Sequence, residues 1–196
     1  MTASTNRHVA LLRGINVGRA KRVAMADLRA LVEGLGYRDV RTLLNSGNVV
    51  FSAPGSLRGD PASRIEKALA ARLGVSARVI AVSAKELGAI VRGNPLLDVA
   101  HDPSRLLVSV LADPKDRKLL KPLEKRDWKP EALALGARAV YLWCADGILE
   151  SALAAEVGRV LGDRTTARNW ATITKLHALA AGSDPETSGS VPRSAR

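Results

Sequence analysis

Apolar positions along this chain recur in two rhythms, and the switches between them mark its elements. Residues 8–12 are a short apolar run closed by Arg13-Gly14, which predicts a buried strand. From residue 24 the spacing lengthens. Met25, Leu28, Leu31, Val32 and Leu35 recur every three or four positions and predict a helix over 24–35, with Gly36 as its C-cap. Residues 40–44 and 49–52 read as strands around the polar turn Asn45-Ser46-Gly47-Asn48, the pattern of a β-hairpin. Asp60-Pro61 opens a second helix with Ile65, Leu69 and Leu73 on one face, and Gly74 ends it. Residues 77–82 predict a fourth strand. Ser83 caps a short helix running to about residue 92. The order strand, helix, strand, strand, helix, strand is that of a split βαβ, ferredoxin-like plait with an antiparallel sheet.

Asn94-Pro95 and His101-Asp102-Pro103 interrupt the pattern, so a boundary between halves is expected after residue 93. Residues 105–111 then read as a strand, and Asp113-Pro114 starts a helix that Pro122 disturbs. Strands follow at 132–135 and 139–144, then a helix over 148–161 whose core face holds Leu149, Leu153, Val157, Val160 and Leu161. Residues 165–170 are extended or loop. Thr172 is the expected N-cap of a final helix to about residue 180. This order echoes the first half. The expectation is an α+β fold of two ferredoxin-like halves (1–93 and 94–181), a structural duplication with one extra C-terminal helix. Residues 182–196 are polar and expected to be disordered.

Composition narrows the function classes. The single cysteine, Cys144, rules out an intramolecular disulfide. With no apolar leader after the polar start, it points to a reducing cytoplasm. No apolar window approaches a membrane span. The formal net charge is +11, from 30 basic and 19 acidic residues. Residues 183–196 hold two acids (Asp184, Glu186) and two bases (Arg193, Arg196), so the excess belongs to the folded part. Such an excess favours anionic partners. Aromatics are only 3%, too few for a platform on which nucleic-acid bases would stack.

Three stretches carry candidate chemistry. The first is the loop from Arg13 to Arg22. Arg13 offers a planar fork for phosphate or carboxylate, Asn16 a hydrogen-bonding amide, and Lys21 and Arg22 further charge beside a helix start. The Gly14–Gly18 spacing matches neither a Walker loop nor GxGxxG. The second is Asn45, Ser46 and Asn48, which also suit the turn itself. The third is Arg168-Asn169-Trp170 with Lys175, where an indole and cations sit at a helix start; Trp170 could equally pack in a core. Catalytic patterns are absent: no HExxH, CxxC or GxSxG appears, and His8, His101 and His177 lie far apart. Cys144 ends an apolar strand and reads as a small buried hydrophobe.

The segments VALLRGINVGRAKRVAMADLRALVEGLGY (9–37), DVRTLLNSGNVVFS (39–52) and TTARNWATITKLHALA (165–180) resemble the signature stretches of the bacterial domain-of-unknown-function family 1697. The resemblance covers the chain apart from its tail. It implies an α+β fold of two plait-like halves and implies no activity. Members usually carry a glycine pair where this chain has Gly18-Arg19, and an aromatic and a glutamine where it has Leu43-Leu44-Asn45. Some carry a pyridoxamine-phosphate oxidase label, but no residue here supports flavin chemistry and no cofactor is expected. The expected function is binding of an anionic ligand: a nucleotide, a phosphorylated small molecule or nucleic acid. The alternatives are an enzyme acting on phosphate or acyl groups, and a protein-interaction module with a basic face.

Overall fold

The first apolar run becomes β1 (Arg7–Leu12) in the computed structural model, which describes residues 6–17 and 22–182. It is followed by α1 (Met25–Glu33), β2 (Arg38–Leu43), β3 (Asn48–Ser52), α2 (Pro61–Leu73), β4 (Val79–Ser83) and α3 (Ala84–Arg92). The four strands form one sheet in the order β2-β3-β1-β4, every neighbouring pair antiparallel. This is the split βαβ order. The second half supplies β5 (Leu106–Leu111), a 3-10 helix (Pro114–Leu120), α4 (Lys121–Glu124), β6 (Ala132–Leu135) and β7 (Ala139–Trp143). It ends with α5 (Ala152–Leu161), β8 (Thr165–Asn169) and α6 (Trp170–Ala181). Its sheet runs β6-β7-β5-β8, again antiparallel throughout. The two halves share one arrangement, and the fold is α+β.

Strand alternation sends successive side chains to opposite faces of a sheet, and here both faces are covered. Ala10 and Leu12 of β1 meet Leu28, Leu31, Ile65 and Leu69 from α1 and α2. Val9 and Leu11 point the other way, into a cluster with Leu87 and Ile90 of α3 and Ile173 and Leu176 of α6. Val108 and Tyr141 of the second sheet close that cluster from its far side. Val140 and Leu142 face a third cluster with Leu120, Leu123, Leu153 and Val157. The molecule is therefore layered: α1 and α2, a sheet, the α3–α6 pair, a sheet, then the second half's remaining helices.

Local chemistry sets most boundaries. The Asp60 carboxylate accepts from Ser63 N–H with Pro61 in the first turn, and Ser83 and Glu86 form a reciprocal capping box. Several boundaries differ from the sequence reading. α1 ends at Glu33, because the N–H groups of Leu35 and Gly36 turn to Val32 O and Glu33 O, three residues back, instead of continuing the four-residue pattern. α5 begins only at Ala152, where Ser151 Oγ accepts from Ala154 N–H. Leu149, expected on the core face, thus lies outside the helix and is 97% exposed. Asn169, not Thr172, caps α6: its side chain accepts from both the N–H and the hydroxyl of Thr172. Residues 165–169 are a strand that completes the second sheet. The expected disordered tail lies almost wholly outside the described residues.

The edge strands β4 and β8 are sealed by side chains, as exposed ladder groups otherwise invite foreign strands. On β4, Val79 N–H donates to Glu66 at 2.7 Å, Ala81 O accepts from Arg138 at 3.2 Å, and Ser83 N–H donates to Glu86 at 2.8 Å. On β8, Thr165 O and Ala167 O accept from Arg13 and Arg168. Arg138 and Arg13 each reach across from the opposite half, so sealing an edge also joins the halves.

Candidate functional site

The end of β1, the β2–β3 turn and β8 meet at one place. Leu12 N–H donates to Gly47 O at 2.8 Å, laying the turn against the end of β1. Gly47 has φ +76°, and a Cβ there would fall 2.7 Å from Ile15 Cδ1 and 2.8 Å from Leu12 Cβ. Only glycine combines that backbone with that proximity. Leu44 and Asn16 also adopt left-handed backbone, with φ of 56° each. For a leucine this is strained, by about 1–3 kcal/mol.

Two side chains clamp this turn from opposite sides. Asn16 donates to Asn45 O at 2.7 Å and to Val23 O at 2.9 Å, and its Oδ1 accepts from Val23 N–H at 2.8 Å. It thereby ties the two described ends of the β1–α1 connection together and fastens both to the turn. From the second half, Arg168 donates through Nε to Asn48 Oδ1 at 2.6 Å. Through Nη2 it donates to Leu12 O at 2.7 Å, Ser46 O at 2.8 Å and Gly47 O at 3.4 Å. Its Nη1 donates to Thr166 Oγ1 and Ala167 O. Every one of these acceptors is neutral. The half-buried residue carries its guanidinium deep, and desolvation pulls the pKa down to about 10, leaving it charged at neutral pH. Asn48 is fully buried and completes the turn by donating to Leu43 O and Ser46 Oγ. Arg13 donates to Thr165 O at 2.7 Å.

The structure thus brings together Arg13, Asn16, Asn45, Ser46, Asn48 and Arg168 from the three stretches singled out in the sequence. It separates the rest. Asn169 is spent on the α6 cap, Trp170 packs half-buried against the middle core, and Lys175 lies exposed further along α6. Lys21 lies outside the described residues. The converging arginines hold backbone carbonyls and, for Arg168, the side-chain oxygens of Asn48 and Thr166. The open space lies beside them, a cavity of about 490 Å³ lined by Asn16, Arg22, Val23, Ala24, Met25 and Asn45. Arg22 and the helix start beside it were both part of the expected site; Val23 and Met25, which complete the wall, were not. Ala24 is the N-cap residue of α1 and offers no side-chain acceptor to its first-turn N–H groups, and both Ala24 and Met25 line the cavity. Asp27 is the one acid in that turn. The missing cap was visible as an alanine where Ser, Thr, Asp or Asn is usual.

Elsewhere the chemistry is closed. Burial pushes the Cys144 thiol up, and the side chain is fully enclosed. Among the described residues, no three His, Cys, Asp or Glu side chains gather as a metal site would require. No helix among them is long and apolar enough to cross a membrane.

Comparison with known proteins agrees with this fold. The profile of the family described as "Protein of unknown function (DUF1697)" matches residues 5–141. The solved structure of a conserved bacterial protein from Streptococcus pneumoniae is similar, with a TM-score of 0.73 and 22% identity over 89% of this chain and 98% of that one. At that identity the likeness shows the fold alone. No curated protein matches the chain.

Proposed function

The chain belongs to the DUF1697 family, whose name assigns no activity, and we propose from the site itself that the protein binds an anionic, phosphate-bearing small molecule. The observation that carries this reading is the start of α1, with no side-chain cap from Ala24, opening on a cavity of about 490 Å³ in which, among the described residues, Arg22 is the charged lining group. First-turn N–H groups and the positive end of the helix dipole favour an anion there. Asn16 and Asn45 add polar wall, and the connection between β1 and α1 carries Arg19 and Lys21 in its sequence. The net charge of +11 would raise the local concentration of anions.

Arg13, Ser46, Asn48 and Arg168 serve this reading as a scaffold. They fix the turn whose Asn45 forms one wall. The described lining residues include no His, Cys, Asp or Glu to serve as acid, base or nucleophile, which supports binding over catalysis on phosphate or acyl groups. The concave shape supports a small molecule over a nucleic-acid duplex. The single cysteine, Cys144, which is buried and has no second cysteine to pair with, supports a cytoplasmic setting.

The test is a thermal-shift titration with inorganic phosphate, a nucleoside diphosphate and a short single-stranded oligonucleotide, each at low and moderate salt. A ligand at a hundredfold its Kd would stabilise the native state by about 2.7 kcal/mol. Arg22→Ala should abolish the shift. Asp27→Asn, which removes the like charge from the same helix turn, should enlarge it. A shift that survives Arg22→Ala, or one that Asp27→Asn diminishes, would move the ligand elsewhere. A response to the oligonucleotide alone, steeply weakened by salt, would replace the small molecule with nucleic acid.

A further inference from the structure

Each sheet has an edge at both ends, and β6 is the edge without protection. β4 and β8 are sealed by side chains. β2 has a break in register between Arg38 and Arg41, a left-handed Asp39 at φ 51° and exposed charges, all features that blunt an edge. β6 has none of these. It reads Ala132-Leu133-Ala134-Leu135, every residue is half-buried, and its pairing with β7 is unbroken.

The β6–β7 turn decides which backbone groups point outward. Gly136 N–H donates to Ala139 O at 2.8 Å, so these two residues form a hydrogen-bonded pair. Such pairs alternate along an antiparallel ladder, which gives Ala134 and Ala132 the bonds to Tyr141 and Trp143 of β7. The N–H and C=O groups of Leu133 and Leu135 therefore point away from the sheet. Among the described residues no side chain or loop bonds to them. The Leu133 and Leu135 side chains pack against the cluster that holds Leu123 and Val157, so the edge is held in place.

The chain leading into β6 is basic. Residues 115–129 hold seven bases against three acids (Asp116, Glu124 and Asp127). Lys118, Lys121, Lys125 and Lys129 are exposed, and none has an ion-pair partner among the described residues. Nearby acids are engaged elsewhere: Asp116 pairs with Arg164 at 3.8 Å, and Glu131 accepts from Leu153 N–H at 3.2 Å. The basic segment lies beside the strand. Trp128 O accepts from Glu131 N–H at 2.7 Å, and Trp128 Nε1 donates to Leu123 O at 2.8 Å. Free ladder groups take an extended backbone, and unpaired cations beside them select one that carries carboxylates.

We propose that the outer edge of β6 docks an extended acidic segment of a partner protein, which adds a strand beside Leu133 and Leu135 and sets its carboxylates against Lys118, Lys121, Lys125 and Lys129. This surface is separate from the cavity at the start of α1.

The labelled peptide Asp-Glu-Val-Thr-Val-Thr-Glu-Asp is a suitable probe, titrated into the full-length protein at low salt. Saturable binding is expected, with hydrogen exchange slowed at the Leu133 and Leu135 amides. Two versions of the peptide, methylated on alternate backbone nitrogens in opposite phases, should behave differently. One phase should abolish binding and the other spare it, because only every second peptide residue bonds to β6. Lys121→Glu combined with Lys125→Glu, both at exposed positions, should weaken the parent peptide by at least about tenfold and flatten its salt dependence. The proposal is overturned if the peptide does not bind, if the slowed amides lie elsewhere, or if the charge reversal changes nothing. Equal binding of both methylated versions would also overturn it, since charge alone would then hold the peptide. Leu133 and Leu135 amides already slow in a peptide-free protein that sediments as a dimer would replace the partner with a second copy of this chain.

Discussion

Replacing Arg168 by methionine keeps the length and apolar character of the side chain and removes its donors. Two of the acceptors so abandoned matter most. Asn48 Oδ1 belongs to a fully buried residue, and Leu12 O lies at the end of the central strand of the first sheet. A buried acceptor left without a donor costs about 1–3 kcal/mol, so the pair costs roughly 2–6 kcal/mol. Ser46 O is more open and can turn to water. Against the loss stands a gain, because the guanidinium is desolvated without a carboxylate partner, and methionine avoids that penalty. The net expectation is a destabilisation of about 3 kcal/mol, or roughly 6–12 °C in Tm for a domain of this size. Urea unfolding should show the midpoint fall with an unchanged slope. Arg168→Lys, which keeps the charge but only some of the bonds, should lie between the two. Lys175→Ala, exposed on the following helix, should stay within about 0.5 kcal/mol of wild type. An Arg168→Met protein as stable as Lys175→Ala would refute the idea that this arginine fastens the two halves.

Gly47→Ala should cost about 2 kcal/mol or more, since it adds both positive-φ strain and a contact of 2.7 Å with Ile15; a Gly47→Ala protein with unchanged Tm would mean the turn is loosely held. The Glu86 carboxyl is drawn upward by burial, but Ser83 and Arg138 together outweigh that and hold its pKa below the ordinary value. Its contribution to stability is therefore present at neutral pH and is lost as pH falls below the usual glutamate range through the depressed folded value. Melting temperature followed from pH 7 downward should fall less in Glu86→Gln than in wild type, and parallel curves would contradict the assignment.

The layered plan could be read from the sequence as far as periodicity carries information. The two hairpins and the α2 and α3 caps followed from alternation and from Asp60-Pro61 and Ser83. β8 was harder, because Thr165–Asn169 is polar and owes its strand geometry to pairing with β5, a long-range cause. Leu149 has the right spacing for the α5 face, but Ser151 starts the helix after it. Nothing in an amphipathic pattern says which sheet face a helix will cover, so the shared position of α3 and α6 was not legible. The candidate site shows the same limit. That Arg13, Asn48 and Arg168 matter could be suspected from polar residues in otherwise apolar surroundings. That the arginines bind carbonyls rather than a ligand depends on partners more than a hundred residues away.

The middle layer has a consequence for how the protein is made. α6 is the last described element to leave the ribosome, yet Ile173 and Leu176 belong to the same cluster as Val9 and Leu11 of the first strand. Until α6 emerges, one face of the first sheet lacks part of its cover, however early its strands pair. Contacts between chain ends form slowly because the intervening loop must close first. A nascent chain stalled before residue 170 would carry that bare face as an adhesive surface. Quality control acting on truncated products would find its signal there, at the opposite end of the polypeptide from the missing residues.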